Sequence, residues 1–352
     1  MKEQVTKLRN ILKEQEIDVF LGSSPFTRKY LSDFTGYGGY VIIGQDVNDL
    51  ATDFTHYEQA LIESPEFPLI KLKHDYSIGD YLQERGFKRI AFEEKFMTAE
   101  TYLQLKKQLP EAELIFGSKL ISKIRQIKTA EEIAGHKKSC EVTNQIVKEF
   151  FEFAKVGMTE KELNEFVLEC ASKHGAEGHF FSPITLTGPN ACLCHGNPTE
   201  RKLQEGDFLL LDMGVMYNGY ASDVTRTAVM GKASEKQKEI YEIVRYAQEV
   251  AIKNIKIGMT AYDAHMLAAD VIAKAGYGEY FQHALGHGFK DDLVIRANEI
   301  DKDTILEENM VFTVEPGIYI PGFGGVRIED DVVLTKEGCV SFCTYTTELQ
   351  EL

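Results

Sequence analysis

A chain of 352 residues exceeds what most single hydrophobic cores support, and a prior of roughly 150 residues per domain favours two domains. With 43% hydrophobic and 27% charged residues and only 9 prolines, the composition is globular and excludes disordered and fibrous classes. A formal net charge of -16, from 55 acidic against 39 basic residues, argues against nucleic acid or an anionic membrane as partner, since both would be repelled.

The opening residues, MKEQVTKLRNILKEQ, are charged throughout and lack the apolar stretch of a secretory signal, and nowhere do about 18 apolar residues run unbroken. A cytoplasmic protein is therefore expected. Val5, Leu8, Ile11 and Leu12 recur at helical spacing, and the apolar run Ile17 to Leu21 follows as a strand. Strand-like Tyr40-Val41-Ile42-Ile43 and Pro68-Leu69-Ile70 then alternate with helix-prone Ile78 to Arg85 and Thr98 to Gln108, the rhythm of an α/β domain.

A long helical tract is predicted from about Ser118, with Thr129 and Glu132 as a capping box. The expected organisation is an α/β amino-terminal domain over 1–120, a linker helix over 121–134, and a second domain over 135–352. Within the second domain, Lys155-Val156-Gly157-Met158-Thr159 recurs as Lys256-Ile257-Gly258-Met259-Thr260. That echo points to two related halves, although cap chemistry alone can produce five matching residues. Cys140, Cys170, Cys192, Cys194, Cys339 and Cys343 form no paired CxxC units, so reduced thiols are the default. Cys192 and Cys194 flank His195, but free cysteines of this kind are common and need bind no metal.

The run Phe208 to Met216 is a buried-strand pattern with one carboxylate, Asp212, set into it. A buried charge needs a cation, a set of donors or an exposed face. Asn218-Gly219 between two strand-like runs calls for a type I′ hairpin turn, which fixes the register. With Tyr217 opposite Tyr220, Thr225 faces Asp212, and Gly214 faces Asp223 and leaves it room; both aspartates then share one face. The same reasoning applied to Val311 to Val333, with a turn centred on Gly322, sets Glu315 directly opposite Glu329. Like charges placed so destabilise a sheet, and divalent metal is the economical explanation. His287 in Gly286-His287-Gly288 offers a nitrogen ligand, though a lone GHG can equally be a tight turn. Four carboxylates and one imidazole suit Mn(II), with Co(II), Fe(II) or Zn(II) as alternatives. Two such ions can generate hydroxide from water near neutral pH and polarise a carbonyl.

LLDMGVMYNGYASDVTRT, ALGHG, FTVEPGIY and GVRIEDDVVL together resemble the pita-bread metallopeptidases, the group of Xaa-Pro dipeptidase (prolidase), aminopeptidase P and methionine aminopeptidase. IRQIKTAEEI is similar to that family's linker helix, and residues 1–120 resemble the amino-terminal domain of prolidase and aminopeptidase P. The resemblance implies an α+β pita-bread (creatinase/aminopeptidase-like) catalytic domain in which Asp212, Asp223, His287, Glu315 and Glu329 hold two divalent metals, with Asp223 and Glu329 bridging. It further implies that Glu315 and His283 are catalytic, that His195 is both catalytic and substrate-binding, and that Arg327 receives the terminal carboxylate of a small peptide substrate. Plainer readings are that His195 caps the Gly-Asn-Pro turn and that Arg327 neutralises Glu329. The family also implies a homodimer.

One departure stands out. After GHG the chain continues Phe289-Lys290-Asp291-Asp292-Leu293-Val294-Ile295, and Val294 stands where the family has a second histidine. Loss of such an oxyanion-stabilising group could cost roughly 3 kcal/mol, or two orders of magnitude in rate. The expected function is metal-dependent hydrolysis of Xaa-Pro dipeptides. The alternatives are aminopeptidase P activity on longer peptides and a catalytically weak peptide-binding or partner-binding homologue; a creatinase-like activity is disfavoured by the complete ligand set.

Overall fold

The computed structural model describes residues 2–290 and 293–352, in two compact units, 1–125 and 126–352. Asp291 and Asp292 lie outside the described residues. Among the described residues, no helix is long and apolar enough to cross a membrane.

The first unit carries helices α1 (Glu3–Glu14), α2 (Pro25–Ser32), α3 (Tyr57–Glu63), α4 (Ile78–Arg85), α5 (Ala99–Gln108) and α6 (Ser118–Gln126). Its strands are β1 (Val19–Gly22), β2 (Tyr40–Gly44), β3 (Asn48–Thr52), β4 (Leu69–Lys71), β5 (Arg89–Phe92) and β6 (Glu113–Phe116). They form one mixed sheet in the order β4-β3-β2-β1-β5-β6. Both faces are covered. Phe20 joins a core with Val5, Leu8 and Ile121 on one side, while Val19 and Leu21 join Tyr81, Leu82 and Leu105 on the other. This is why β1 reads as a continuous apolar run rather than an alternating one.

The second unit begins with α7 (Ala130–Phe153), where the Thr129/Glu132 capping box is formed, and α8 (Glu160–Lys173). The strands β7 (Gly178–His179), β8 (Ile184–Thr187), β9 (Phe208–Met213), β10 (Val215–Tyr217), β11 (Tyr220–Ala221) and β12 (Val224–Val229) follow. Then come α9 (Glu235–Asn254), α10 (Ala261–Lys274), β13 (Gly286–His287), β14 (Val294–Ile295), β15 (Val311–Val314), β16 (Gly317–Ile320), β17 (Gly324–Arg327), β18 (Asp330–Thr335) and β19 (Gly338–Ser341). Along β9 the side chains alternate between two cores: Phe208 and Leu210 pack with α9 and α10, Leu209 and Leu211 with α7 and α8. The alternation follows from the two-residue period of a strand.

Both hairpins have the register that the turn positions dictate. Tyr217 lies opposite Tyr220 and Thr225 opposite Asp212. Asn218 and Gly219 have φ of 49° and 79°, the left-handed pair that a type I′ turn requires, and the Gly219 N–H donates to Glu177 Oε2 at 2.8 Å. In the second hairpin Gly317 lies opposite Arg327 and Val314 opposite Asp330, which brings Glu315 and Glu329 level at a break between strands. Gly214 has a different purpose from the one its sequence position suggests. A Cβ there would lie 1.9 Å from the Ser222 carbonyl oxygen, so the glycine admits the opposing main chain rather than the Asp223 side chain.

The repeated KxGMT segments are one architectural motif used twice. Gly157 N–H donates to Leu203 O, Leu203 N–H to Met158 O, and Glu160 N–H to Arg201 O; in the second half Gly258 donates to Leu306, Leu306 to Met259, and Ala261 to Thr304. Beyond these, Gly206 N–H donates to Met230 O and Met230 N–H to Asp207 O, just as Asn309 donates to Leu334 and Leu334 to Met310. Gly206 and Asn309 both have positive φ, 81° and 68°. The second unit is therefore built from two halves with the same main-chain pairing.

Candidate metal centre

Strand pairing sets the carboxylates. Asp212 on β9 and Asp223 just before β12 belong to the first hairpin, Glu315 and Glu329 to the second. Asp223, His287 and Glu329 each present one ligand atom, and these atoms lie within 4.8 Å of one another. His287 Nε2 is 3.6 Å from Asp223 Oδ2 and 3.6 Å from Glu315 Oε1. Asp212, Asp223 and Glu329 are 6%, 4% and 2% exposed, so water does little to screen their mutual repulsion.

Burial first, and the neighbouring carboxylates second, push the Asp223 and Glu329 carboxyls well above the ordinary range. Glu315 is raised by burial and held back by His287 and Arg327. The Asp212 Oδ1 atom is buried with no hydrogen-bond partner. An orphaned carboxylate oxygen beside three other buried carboxylates is costly without a cation, and the oxygen-rich donor set with one imidazole fits hard divalent metal. The residues present thus fit the group.

A set of hydroxyls, not singled out from the sequence, fixes these side chains. Thr225 Oγ1 donates to Glu329 Oε2 at 2.5 Å and accepts from Arg327 Nε at 3.0 Å. Thr313 Oγ1 donates to Glu315 Oε1 at 2.9 Å and accepts from His287 N at 3.0 Å. Asp331 Oδ2 accepts the Asp223 N–H at 3.1 Å, while burial raises its carboxyl. The available signal was position: Thr225 faces Asp212 across the hairpin, and Thr313 is two residues before Glu315 on the same strand face.

Arg327, 3% exposed, pairs with Asp212 rather than with Glu329, and donates to Tyr319 Oη at 2.8 Å and Cys194 O at 3.4 Å. Burial disfavours its charge, but Tyr319 and Asp212 more than restore it. Since arginine only donates, the Tyr319 proton goes to His283 Nε2, 3.0 Å away, and His283 Nδ1 donates to Ala284 O at 2.7 Å. Burial, reinforced by Arg327, lowers the His283 pKa to about 4, which agrees with a neutral ring held in one tautomer. His195 is exposed on the segment after the turn Gly188–Cys192, near enough for its charge to bear on His283. Val294 lies directly opposite His287 on the β13/β14 ribbon and hence on the same face.

Comparison with known proteins agrees with this geometry. The family model for metallopeptidase family M24 matches residues 134–336, and that for the creatinase/prolidase N-terminal domain matches residues 4–127. The chain is 37% identical to the Xaa-Pro dipeptidase of Pyrococcus furiosus over 96% of this chain and 97% of that one. The solved structure of an Xaa-Pro dipeptidase from Bacillus anthracis superposes with a TM-score of 0.93 at 36% identity, covering 99% of each chain. An X-Pro aminopeptidase from Thermotoga maritima superposes with a TM-score of 0.86 at 31% identity, covering 96% of this chain and 99% of that one. With its acidic double hairpin and its two-unit architecture, the chain belongs to metallopeptidase family M24 and carries a creatinase/prolidase N-terminal domain ahead of the pita-bread catalytic fold.

Proposed function

We propose that this chain hydrolyses the Xaa-Pro bond of dipeptides. The observation that carries the reading is the convergence of Asp223, His287 and Glu329 within 4.8 Å, beside Asp212 and Glu315, in a chain related over its full length to Xaa-Pro dipeptidases. In this proposal Asp212, Asp223, His287, Glu315 and Glu329 would hold two divalent ions. When bound, the ions supply a nucleophile from water at neutral pH and polarise the scissile carbonyl.

The chain's own groups do the rest. Glu315, whose Oε1 is kept in place by Thr313, takes and returns the proton. Arg327, fixed by Thr225 and Tyr319, offers its positive charge to the substrate carboxylate, and exposed His195, on the segment whose Cys194 carbonyl Arg327 bonds, contacts the substrate beside it. His283 acts as an acceptor that orients Tyr319, since both of its ring nitrogens are already engaged. Manganese, a homodimer and a cytoplasmic location complete the reading. The oxygen-rich donor set favours manganese, and six free cysteines accord with a reducing compartment.

A second reading, cleavage of longer Xaa-Pro peptides, is favoured by the similarity to an X-Pro aminopeptidase. The test is release of the amino-terminal alanine by protein reconstituted with Mn(II), with Ala-Pro (products Ala and Pro) compared against Ala-Pro-Ala (products Ala and Pro-Ala) and Asp223→Ala as control. Release from Ala-Pro alone is expected; preference for the tripeptide selects the second reading. Tight peptide binding without release, from protein shown to hold two metals, would select a binding role, for which apolar Val294 facing the site is the motivating feature.

A further inference from the structure

Glu160 is the first residue of α8 and fully buried, at 0% exposure, yet it takes no part in the metal centre. Its Oε1 accepts from Thr187 N at 2.8 Å, Thr187 Oγ1 at 3.0 Å and Asn190 Nδ2 at 3.1 Å. Its Oε2 accepts from Thr199 N at 2.9 Å, Thr199 Oγ1 at 2.6 Å and Asn190 Nδ2 at 3.2 Å. Every one of these donors belongs to the stretch from Thr187 to Thr199, and the two threonines are its ends. That stretch carries Cys194 and His195.

The far side of the same segment rests on the strand that bears Arg327. A Cβ on Gly325 would lie 2.2 Å from Ala191 O, and one on Gly324 would lie 2.9 Å from Gly188 O, so the two main chains touch there. Arg327 Nη1 also donates to Cys194 O at 3.4 Å. The His195 segment is therefore fixed between a buried carboxylate and the wall of the metal centre.

Comparison of the two halves shows what the carboxylate replaces. Glu160 and Ala261 occupy equivalent positions, each donating its N–H to the segment that closes the following loop, Arg201 O in one case and Thr304 O in the other. In the second half the loop returns on itself, and Val294-Ile295 pairs with Gly286-His287 through main-chain bonds. In the first half no residue between Gly188 and Glu200 lies in a strand. A loop without a ladder must satisfy and fix its polar groups by other means, and a charged acceptor with up to four lone-pair sites can serve both ends at once.

We propose that Glu160 is a positioning residue for catalysis: by tying Thr187, Asn190 and Thr199 together it sets where His195 meets the substrate. This rests on the reading of His195 as a substrate-contacting residue. Glu160→Gln keeps the shape but turns one acceptor oxygen into a donor facing donors.

The test is a double-mutant cycle in the metal-loaded enzyme with Ala-Pro as substrate. Glu160→Gln should lower kcat/KM by about 10-fold or more, the usual scale for an outer-shell partner, with metal content unchanged. In a His195→Ala background the same substitution should cost less than about 2-fold, because there is no longer a histidine to misplace. A carboxylate needed only for stability would lower the melting temperature equally in both backgrounds and leave the two rate effects multiplicative, which would overturn the proposal. Thr199→Val, which removes one hydroxyl donor, supplies a milder probe if Glu160→Gln fails to fold, and it should show the same non-additivity. Wild-type turnover by His195→Ala alone would sink the reading of His195, and the proposal with it. A slow His195→Ala beside a fully active Glu160→Gln would sink the proposal alone.

Discussion

Asp212, Asp223 and Thr225 on the first hairpin stand where Glu315, Arg327 and Glu329 stand on the second, because the pairing Phe208 with Val229 corresponds to Val311 with Val333. The main chain of the two halves is shared, but the chemistry is not. Asp212 and Glu315 are alike, Thr225 and Glu329 are a hydroxyl and the carboxylate it bonds, and Asp223 and Arg327 are opposite in charge. The two halves thus share a frame, and a few inward positions make their two similar faces complementary. The arginine belongs to the second half, and the carboxylate it pairs with, Asp212, belongs to the first.

The Asp223/Arg327 pair should give the largest effects, and in opposite directions. Asp223→Ala removes a proposed ligand, so turnover should fall by at least about 1000-fold, beyond the 10–100-fold typical of a residue that only supports a ligand. The metal-free protein should nevertheless melt higher, since one of several crowded buried carboxylates is gone. Arg327→Ala leaves Asp212 buried without its cation and should cost the metal-free protein about 3–5 kcal/mol, partly restored by metal. Calorimetric melting with and without chelator measures both; shifts of the same sign would contradict the charge opposition.

Val294→His probes the loop that differs most between the halves. Val294 shares the ribbon face of His287, so a histidine there adds a donor at the site, and kcat on Ala-Pro should rise by about 10-fold to 100-fold. Unchanged kcat would show that the valine wall serves the reaction as it stands. The smallest effects are expected at the paired hydroxyls: Thr225→Val and Thr313→Val should each weaken metal binding by about 10-fold, read by competition with a chromophoric chelator. If only one of them matters, the halves do not support their ligands equivalently.

Much of this centre could be read from the residues because hairpin register follows from where the turn sits. Asn218-Gly219 and Gly322 each fix which carboxylates face one another, and a strand's two-residue period carries that information along the chain. The caps were equally local, and Thr129 both starts α7 and explains why the helical tract expected from Ser118 breaks after Gln126. What escaped is long-range. Glu160 meets partners 27 to 39 residues away on a loop, and no periodicity announces such a carboxylate. Arg327 was expected to receive the substrate carboxylate, with neutralisation of its near neighbour Glu329 as the plainer alternative; its ion pair with Asp212 was in neither reading, because it depends on β17 lying beside β9. Thr225, Thr313 and Tyr319 belong to residue types too common in strands to mark a site by themselves.

The Asn218-Gly219 turn also bears on chemical ageing. Asparagine followed by glycine is the pair most prone to deamidate, because the glycine nitrogen can attack the asparagine side chain and close a succinimide ring that reopens largely as isoaspartate. An extra methylene in the main chain here would shift the ladder that aligns Asp212 with Thr225. In this protein the nitrogen that would attack is the one whose hydrogen is given to Glu177 Oε2 at 2.8 Å. A lesion at this one exposed turn would therefore reach Asp212 and Asp223 through the ladder alone, without any change to the inward side chains themselves.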